Sequence, residues 1–380
     1  MRAFGSILLL LVLGVSPVAR QPAPGWLGAP ERVADGVDLY RVDATDLVSP
    51  GAPQSVRLLR VDPKRARLRP ALAGTMPSLG TVQEMAARDG AVAAVNAGFF
   101  LPTGDPAGVL RIDGRLVSDT TRARGAVALL DEPGEQVPVF DQVTAVIRLR
   151  FRSAGAWRSV RVDGVDSPRR KNRVTLYSPS SGPATPSEGG LEWSLTGTPL
   201  RASAARRSGR SAIPVDGFVV SFGGLAAPAA LAGLARASSV QVRQSLTVAS
   251  GERVRDWIRA PQIVGGAGLL VRRGVVVTDW TREKLSPSFD LRRHPRTVIA
   301  RDASHAIWLV TVDGRQPSRA AGMSFAELHA LLARLGAIDA LNLDGGGSTT
   351  MVANGQVVNL PSDLTGARRV SDALLVIAGR

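Results

Sequence analysis

Twice along this chain an amphipathic helix, an apolar strand and a glycine-rich loop follow one another in the same order, and both strands end on asparagine. The first unit starts at Thr81, carries Val82, Met85 and Ala86 on one face, closes at Gly90 and passes at once into the apolar run 91–95. That run ends in Asn96-Ala97-Gly98-Phe99-Phe100. In the second unit Ser324 and Glu327 form a capping box, while Leu328, Leu331, Leu332 and Leu335 make the apolar face, and Gly336 ends the helix. The strand 338–343 then leads into Asp344-Gly345-Gly346-Gly347-Ser348. Strand ends in α/β sheets commonly present ligand-binding groups, so both loops are expected to converge on one cleft through Asn96 and Asn342.

The remaining strand patterns are shorter. Residues 37–42 and 55–61 alternate as a lead-in hairpin around Ser49-Pro50-Gly51, and strand-like runs recur at 143–151, 217–222, 263–277 and 308–312. A Ser/Pro/Gly-rich stretch, 178–190, falls inside the region 143–260, which reads as an insertion or subdomain. The expected fold is α+β: a mixed β-sheet core with packed helices and glycine-rich loops at strand ends, plus an inserted β-rich region, all within one domain over 30–380.

At 380 residues the chain can bury a sizeable core, and it contains no cysteine. Disulfides, thiolate metal sites and a cysteine nucleophile are excluded. Met1 and Arg2, the apolar run 7–13 and the small residues through Ala19 have the order of a secretory leader of about 20 residues. The run is too short to span a bilayer. A secreted, extracytoplasmic or periplasmic protein without a transmembrane span in its mature chain is therefore expected, against the alternative of a buried N-terminal strand. The formal charge is +15, carried almost entirely by arginine. It suits phosphate-bearing partners, but along the sequence the basic residues are scattered, without the stripe or aromatic interleaving of a nucleic-acid binder, so nucleic acid is not an expected partner.

Asn342-Leu343-Asp344-Gly345-Gly346-Gly347-Ser348-Thr349 is the strongest chemical signal. Three glycines allow positive φ and close approach to a ligand, so their N–H groups can form an anion nest, with Asp344 facing the same space. A glycine-rich hairpin turn is the structural alternative. No Gly-Lys-Ser/Thr follows, so this is not a P-loop. Asp313-Gly314-Arg315 closes another apolar run with an acid and a guanidinium, and Arg296-Thr297 opens one; both arginines are candidates for bidentate phosphate contact. Asp-Gly is also a common hairpin pair. The three histidines lack metal-ligand spacing, and neither a Gly-x-Ser-x-Gly elbow nor a dinucleotide fingerprint occurs.

Taken together these segments resemble the phosphodiester glycosidase family. Asn96-Ala97-Gly98-Phe99-Phe100 with Asp105-Pro106 and Gly108 is similar to the family's Asn-Gly-Gly-Phe-Phe loop, with Ala97 in place of its first glycine. His294-Pro295-Arg296-Thr297, Val312-Asp313-Gly314-Arg315 and 342–351 resemble its Pro-Arg-Thr, Asp-Gly-Arg and Asn-Leu-Asp-Gly-Gly-Gly-Ser motifs. Pro361-Ser362-Asp363 and 369–374 resemble its tail, with Asp372 where asparagine is usual, and 172–177 and 213–218 extend the likeness into the insertion. The resemblance implies an exported hydrolase that cleaves a sugar-1-phosphodiester at the anomeric carbon, releasing a free sugar and a phosphomonoester, on cell-envelope or extracellular glycans. Their strand-end positions and chemistry make Asp344, Asp313 and Arg296 the catalytic candidates. Substrate contacts fall to Asn96, Gly98, Phe99, Phe100, Asp105, Thr297, Arg315, Asn342, Gly345, Gly346, Gly347, Ser348 and Thr349. No cofactor is required; a Ca²⁺ or Mg²⁺ ion among Asp105, Asp313 and Asp344 stays open. Two alternatives remain: a non-catalytic carbohydrate or cell-wall binding protein using the same cleft, and an ordinary glycosidase with Asp105 or Asp313 as the second carboxylate.

Overall fold

Leu58 and Leu59, Val298 and Ile299, and Trp308 and Leu309 are adjacent in sequence, yet each pair divides between two different apolar cores. Successive side chains of a strand point to opposite faces, so the strands carrying them are covered on both sides. They belong to an eight-stranded sheet in the order Glu31–Ala34, Val37–Ala44, Gln54–Val61, Ile307–Val312, Arg296–Asp302, Ala337–Asn342, Leu269–Arg272, Val275–Val276. One face packs on a five-stranded sheet, Gln356–Val357, Met351–Ala353, Ala93–Asn96, Asp372–Ala378 and Ala66–Leu72, through Leu59, Ile299, Val95, Leu374 and neighbours. The other is capped by a helix, Phe325–Arg334, that buries Phe325, Leu328, Leu331 and Leu332.

A seven-stranded sheet is dominated by the hairpin of Thr120–Glu132 with Glu135–Ser153, and Ser239–Val248 runs alongside the latter. Ile147, Leu149 and Phe151 on its inner face pack against Leu176, Trp193 and Val220 of a six-stranded sheet. Pairing between strands is antiparallel except for Gly164–Val165 beside Val174–Tyr177. This computed structural model describes residues 23–379, so the leader expected at 1–20 lies outside the described residues.

The α+β expectation is overturned: strands make up 45% of the structure and helix 12%. Both expected helices form, over Val82–Arg88 and Phe325–Arg334, each with its capping box, but they are short and cover sheets that are mainly packed on other sheets. The reason is one of range. A capped helix announces itself within a dozen residues, whereas the partners of these strands lie up to hundreds of residues away and leave no local periodic mark.

Candidate functional site

The ends of the two stacked sheets meet at Asn96. Its side chain is fully buried, and Oδ1 accepts from the Thr297 hydroxyl (2.7 Å) and the Thr350 amide (3.1 Å). Nδ2 donates to the Asp344 carbonyl (2.7 Å), and the Asp344 amide donates to the Ala97 carbonyl (2.9 Å). The two loops expected to converge are therefore bonded to each other. Ala97 packs wholly inside the central core, which explains why a methyl group is accepted there.

Asp344 follows the strand Ala337–Asn342 and is half-buried. Its carboxyl lies deep enough among protein atoms that burial pushes it up to about 6; the nearby Asp372 adds to this, and the Gly345 amide, donating to Oδ1 at 2.9 Å, and Arg368 oppose it. The Ser348 hydroxyl also lowers it, although it lies outside hydrogen-bond geometry. Asp372, 1% exposed, is the second carboxylate here. Oδ1 accepts from the Gly98 amide (2.7 Å), Ser371 donates to Oδ2, and burial raises its carboxyl as well.

The glycine triplet turns into a single 3-10 turn, Gly346–Ser348. Its N–H groups do not form an open nest. That of Gly345 goes to Asp344, that of Gly346 to the Pro295 carbonyl (2.9 Å), and only that of Gly347 is left without a chain partner. Glycine is needed for another reason: a Cβ on Gly346, where φ is +61°, would sit 2.8 Å from Nη2 of Arg315, and one on Gly347 would collide with Arg368 and Asp363. Two exposed guanidinium groups thus lie against the triplet. Arg315 has no ion pair among the described residues; Arg368 is paired with Asp363 (2.8 Å).

Other expected site residues are placed differently. Arg296 and Thr297 are neighbours on one strand, so when Thr297 faces Asn96, Arg296 faces the opposite side of the sheet. There its guanidinium donates to the carbonyls of Met323 (2.8 Å), Phe289 (2.8 Å) and Arg292 (2.9 Å), with Phe289 and Phe325 against it, and burial lowers it to about 10. Asn342 lies on that side too and donates to the Ala267 and Leu343 carbonyls. Asp313 is not in a free Asp-Gly turn: its carboxylate accepts from Ser55, Asn359 and the Leu360 amide, and Asn359 in turn holds the Thr349 carbonyl and the Met351 amide. It braces the glycine loop from behind. Ser348 and Thr349 turn their hydroxyls inward without protein partners.

Phe99 packs at a tilt near Phe289, with centroids 6.3 Å apart, and Phe100 packs against the core under the Val82–Arg88 helix. Asp105 is 6% exposed with no side-chain hydrogen bond, and burial with nearby Asp119 pushes it up to about 6 against the pull of Arg170. Among the described residues no three acidic or histidine groups converge to hold a metal, so the Asp105, Asp313 and Asp344 set does not fit a Ca²⁺ or Mg²⁺ ion. A distinct surface hollow is lined by Asp141, Arg272, Arg273, Arg301 and Asp339, at the far ends of the strands that carry Arg296 and Asn342; its arginines are paired with carboxylates, and it lacks the site's groups. Arg368 and Asp372 were both missed as site residues: a surface loop carries no periodic signal, and Asp372 stood out in the sequence only as a departure from the usual asparagine.

Residues 200–377 match the family model described as phosphodiester glycosidase. Over 136 residues the chain is 30% identical to the N-acetylglucosamine-1-phosphodiester alpha-N-acetylglucosaminidase of Mus musculus, a stretch covering 32% of this chain and 26% of that protein. Over 68 residues it is 38% identical to the Bos taurus protein of the same name, covering 18% and 12%. The chain thus matches about a quarter or less of the length of these relatives. A crystal structure of a hypothetical protein from Synechocystis superimposes with a TM-score of 0.73 at 25% identity, covering 91% of this chain and 62% of that one. A Burkholderia pseudomallei protein described as exported shares the fold, with a TM-score of 0.72 at 24% identity over 87% and 75% of the two chains.

Proposed function

Because residues 200–377 belong to the phosphodiester glycosidase family, we propose that this chain hydrolyses a sugar-1-phosphodiester at the anomeric carbon. The observation that carries the reading is Asp344: a carboxyl deep at a strand end, beside Asp372, with Arg315 and Arg368 against the adjoining glycines. In the proposed reaction the bond from C1 to the phosphate oxygen breaks, its electron pair stays on the phosphate, and the hydroxyl arriving at C1 comes from water. Phosphate is a good leaving group, so the site needs cations for the phosphate and one ionised carboxylate near C1, acting as base toward water or as nucleophile. Arg315 and Arg368 take the first task and Asp344 the second. Asp313 and Arg296 are positioning residues in this scheme, while Asn96, Thr297, Gly98 and Phe99 shape the sugar side.

The leader-like N-terminus, together with the exported description of the Burkholderia relative, supports action on cell-envelope or extracellular glycans; no helix among the described residues is long and apolar enough to cross a membrane. The test is a p-nitrophenyl sugar-1-phosphodiester. Cleavage at C1 yields p-nitrophenyl phosphate, so colour develops only after added phosphatase, and kcat/KM should rise with pH through about 6 as Asp344 ionises. Colour without phosphatase would mean cleavage at phosphorus, and no release at any enzyme concentration would leave a binding protein.

A further inference from the structure

The basic residues that look scattered along the sequence are aligned by strand pairing. In the strand Glu135–Ser153, Ile147, Leu149 and Phe151 point inward, so Arg148, Arg150 and Arg152 must point outward. Register places Arg161 of Ala156–Arg161 beside Arg148 on one side, and Arg243 of Ser239–Val248 beside it on the other. Five arginines therefore occupy one face of three adjacent strands, and Trp157, 45% exposed, lies under Arg150 at 5.0 Å.

Only Arg161 has an acid within electrostatic reach, Asp119, and none of the five is in an ion pair among the described residues. Residues 142–162 contain five arginines and no Asp or Glu, and residues 236–250 contain none either. Elsewhere exposed arginines pair with carboxylates, as Arg65 does with Asp35 and Arg273 with Glu252. Unpaired like charges crowded on neighbouring strands are mutually destabilising, so their concentration on one face needs an external anion to offset it.

We propose that this face binds the backbone of an anionic glycan polymer linked by phosphodiesters, the polymer whose sugar-phosphate bond is cleaved at Asp344. The inference rests on the hydrolase reading for the identity of the polymer, but not for the existence of the binding face. A flat surface with cations about 7 Å apart along the central strand suits an extended polyanion rather than one compact phosphate. One tryptophan is too little aromatic surface for stacking successive bases, which disfavours single-stranded nucleic acid.

The test is the triple variant Arg148→Thr, Arg150→Thr, Arg243→Thr, since threonine suits an exposed strand. Three probes are used: inorganic polyphosphate, a polymer of glycosyl 1-phosphate repeats, and the small p-nitrophenyl diester. We expect at least a tenfold loss of polyphosphate affinity with a shallower salt dependence, and a comparable loss of kcat/KM on the polymer through KM, with unchanged turnover of the small diester. Unchanged polyphosphate binding overturns the proposal. Single-stranded DNA or anionic phosphatidylglycerol vesicles bound more tightly than the glycosyl phosphate polymer, and lost in the same variant, overturn the assigned partner. A wild type that binds the polymer but cleaves neither substrate removes the hydrolase reading and leaves the face intact.

Discussion

Asp344 and Asp313 sit at matching strand ends, yet their surroundings divide their roles. Four donated contacts occupy Asp313, including three from the 359–360 segment. The Asp344 carboxylate accepts one hydrogen bond, from the next amide, and has a neighbouring carboxylate. Asp344→Asn keeps the shape and removes the charge, so turnover should fall about a hundredfold or more. The same change should stabilise the fold at neutral pH. A carboxyl raised to about 6 makes its stabilising contribution when protonated, below its unfolded value, and loses it as pH rises through 6. The neutral amide escapes that loss, which is worth on the order of 1–3 kcal/mol. Denaturant melts at pH 7.5 and pH 4 check this, and a variant less stable than wild type at pH 7.5 would assign Asp344 to structure. Arg315→Lys and Arg296→Lys separate in the same way. The first should weaken kcat/KM about tenfold at unchanged melting temperature, and the second should lower the melting temperature by losing three carbonyl contacts and two ring faces. The reverse pattern would return Arg296 to the phosphate. The repeated helix, strand and glycine-loop order pointed to the two loops meeting, which Asn96 and Asp344 do, but through Asn96 alone, since Asn342 faces the other side; motif adjacency likewise hid the alternation that turns Arg296 away from Thr297.

At the level of elements, the capped helices at 82–88 and 325–334 and the strands leading from them were legible because cap, periodicity and terminating glycine all fall within one short window. The lead-in hairpin was legible too, over Val37–Ala44 and Gln54–Val61. The hairpin of Thr120–Glu132 and Glu135–Ser153 was seen only in part, since its alternation is interrupted by polar residues that are buried, such as Gln136, Asp141 and Gln142. The glycine loop was found for a reason that the geometry revises: Gly346 and Gly347 make room for arginine side chains more than for ligand-binding amides. Gly346→Ala tests that reason. An alanine at φ +61° costs about 1–2 kcal/mol, and its methyl pushes the exposed end of Arg315, which is free to move. A modest fall in melting temperature should therefore accompany at least a tenfold rise in KM for the diester. If affinity survives, the guanidinium is not the phosphate contact.

The whole molecule carries an unusual set of raised carboxyls. Burial pushes Asp105, Asp119 and Asp344 up to about 6 and Asp166 up to about 7; Asp105 and Asp344 belong to the expected site loops and Asp166 follows the strand Gly164–Val165. Each binds a proton in the folded state over a range where the unfolded chain has lost it, so stability declines as pH rises from about 4 toward 7. Depressed carboxyls act in a separate window. Glu327, held at about 2 by Arg293, Ser49 and its cap despite burial, contributes stability that is full above the unfolded glutamate value and is lost progressively as pH falls from there through about 2. His294 and His329, lowered by burial, oppose the carboxyls between their folded values and 6.5, because there the unfolded chain holds more protons. Two histidines against these four carboxyls, with Asp313 and Asp372 raised as well, leave a net decline. The positive charge of +15 grows further on acidification and would mask the effect through self-repulsion at low salt, so the comparison belongs at about 0.2 M salt, where the Debye length is below about 8 Å. Under those conditions the melting temperature at pH 5 should exceed that at pH 8 by at least about 3 °C. The quadruple variant Asp105→Asn, Asp119→Asn, Asp166→Asn, Asp344→Asn should flatten the difference. A wild-type melting temperature that climbs steadily from pH 5 to pH 8 would mean that these carboxyls are ionised at little cost inside the fold, and with that the account of Asp344 as a strained functional group would fall as well.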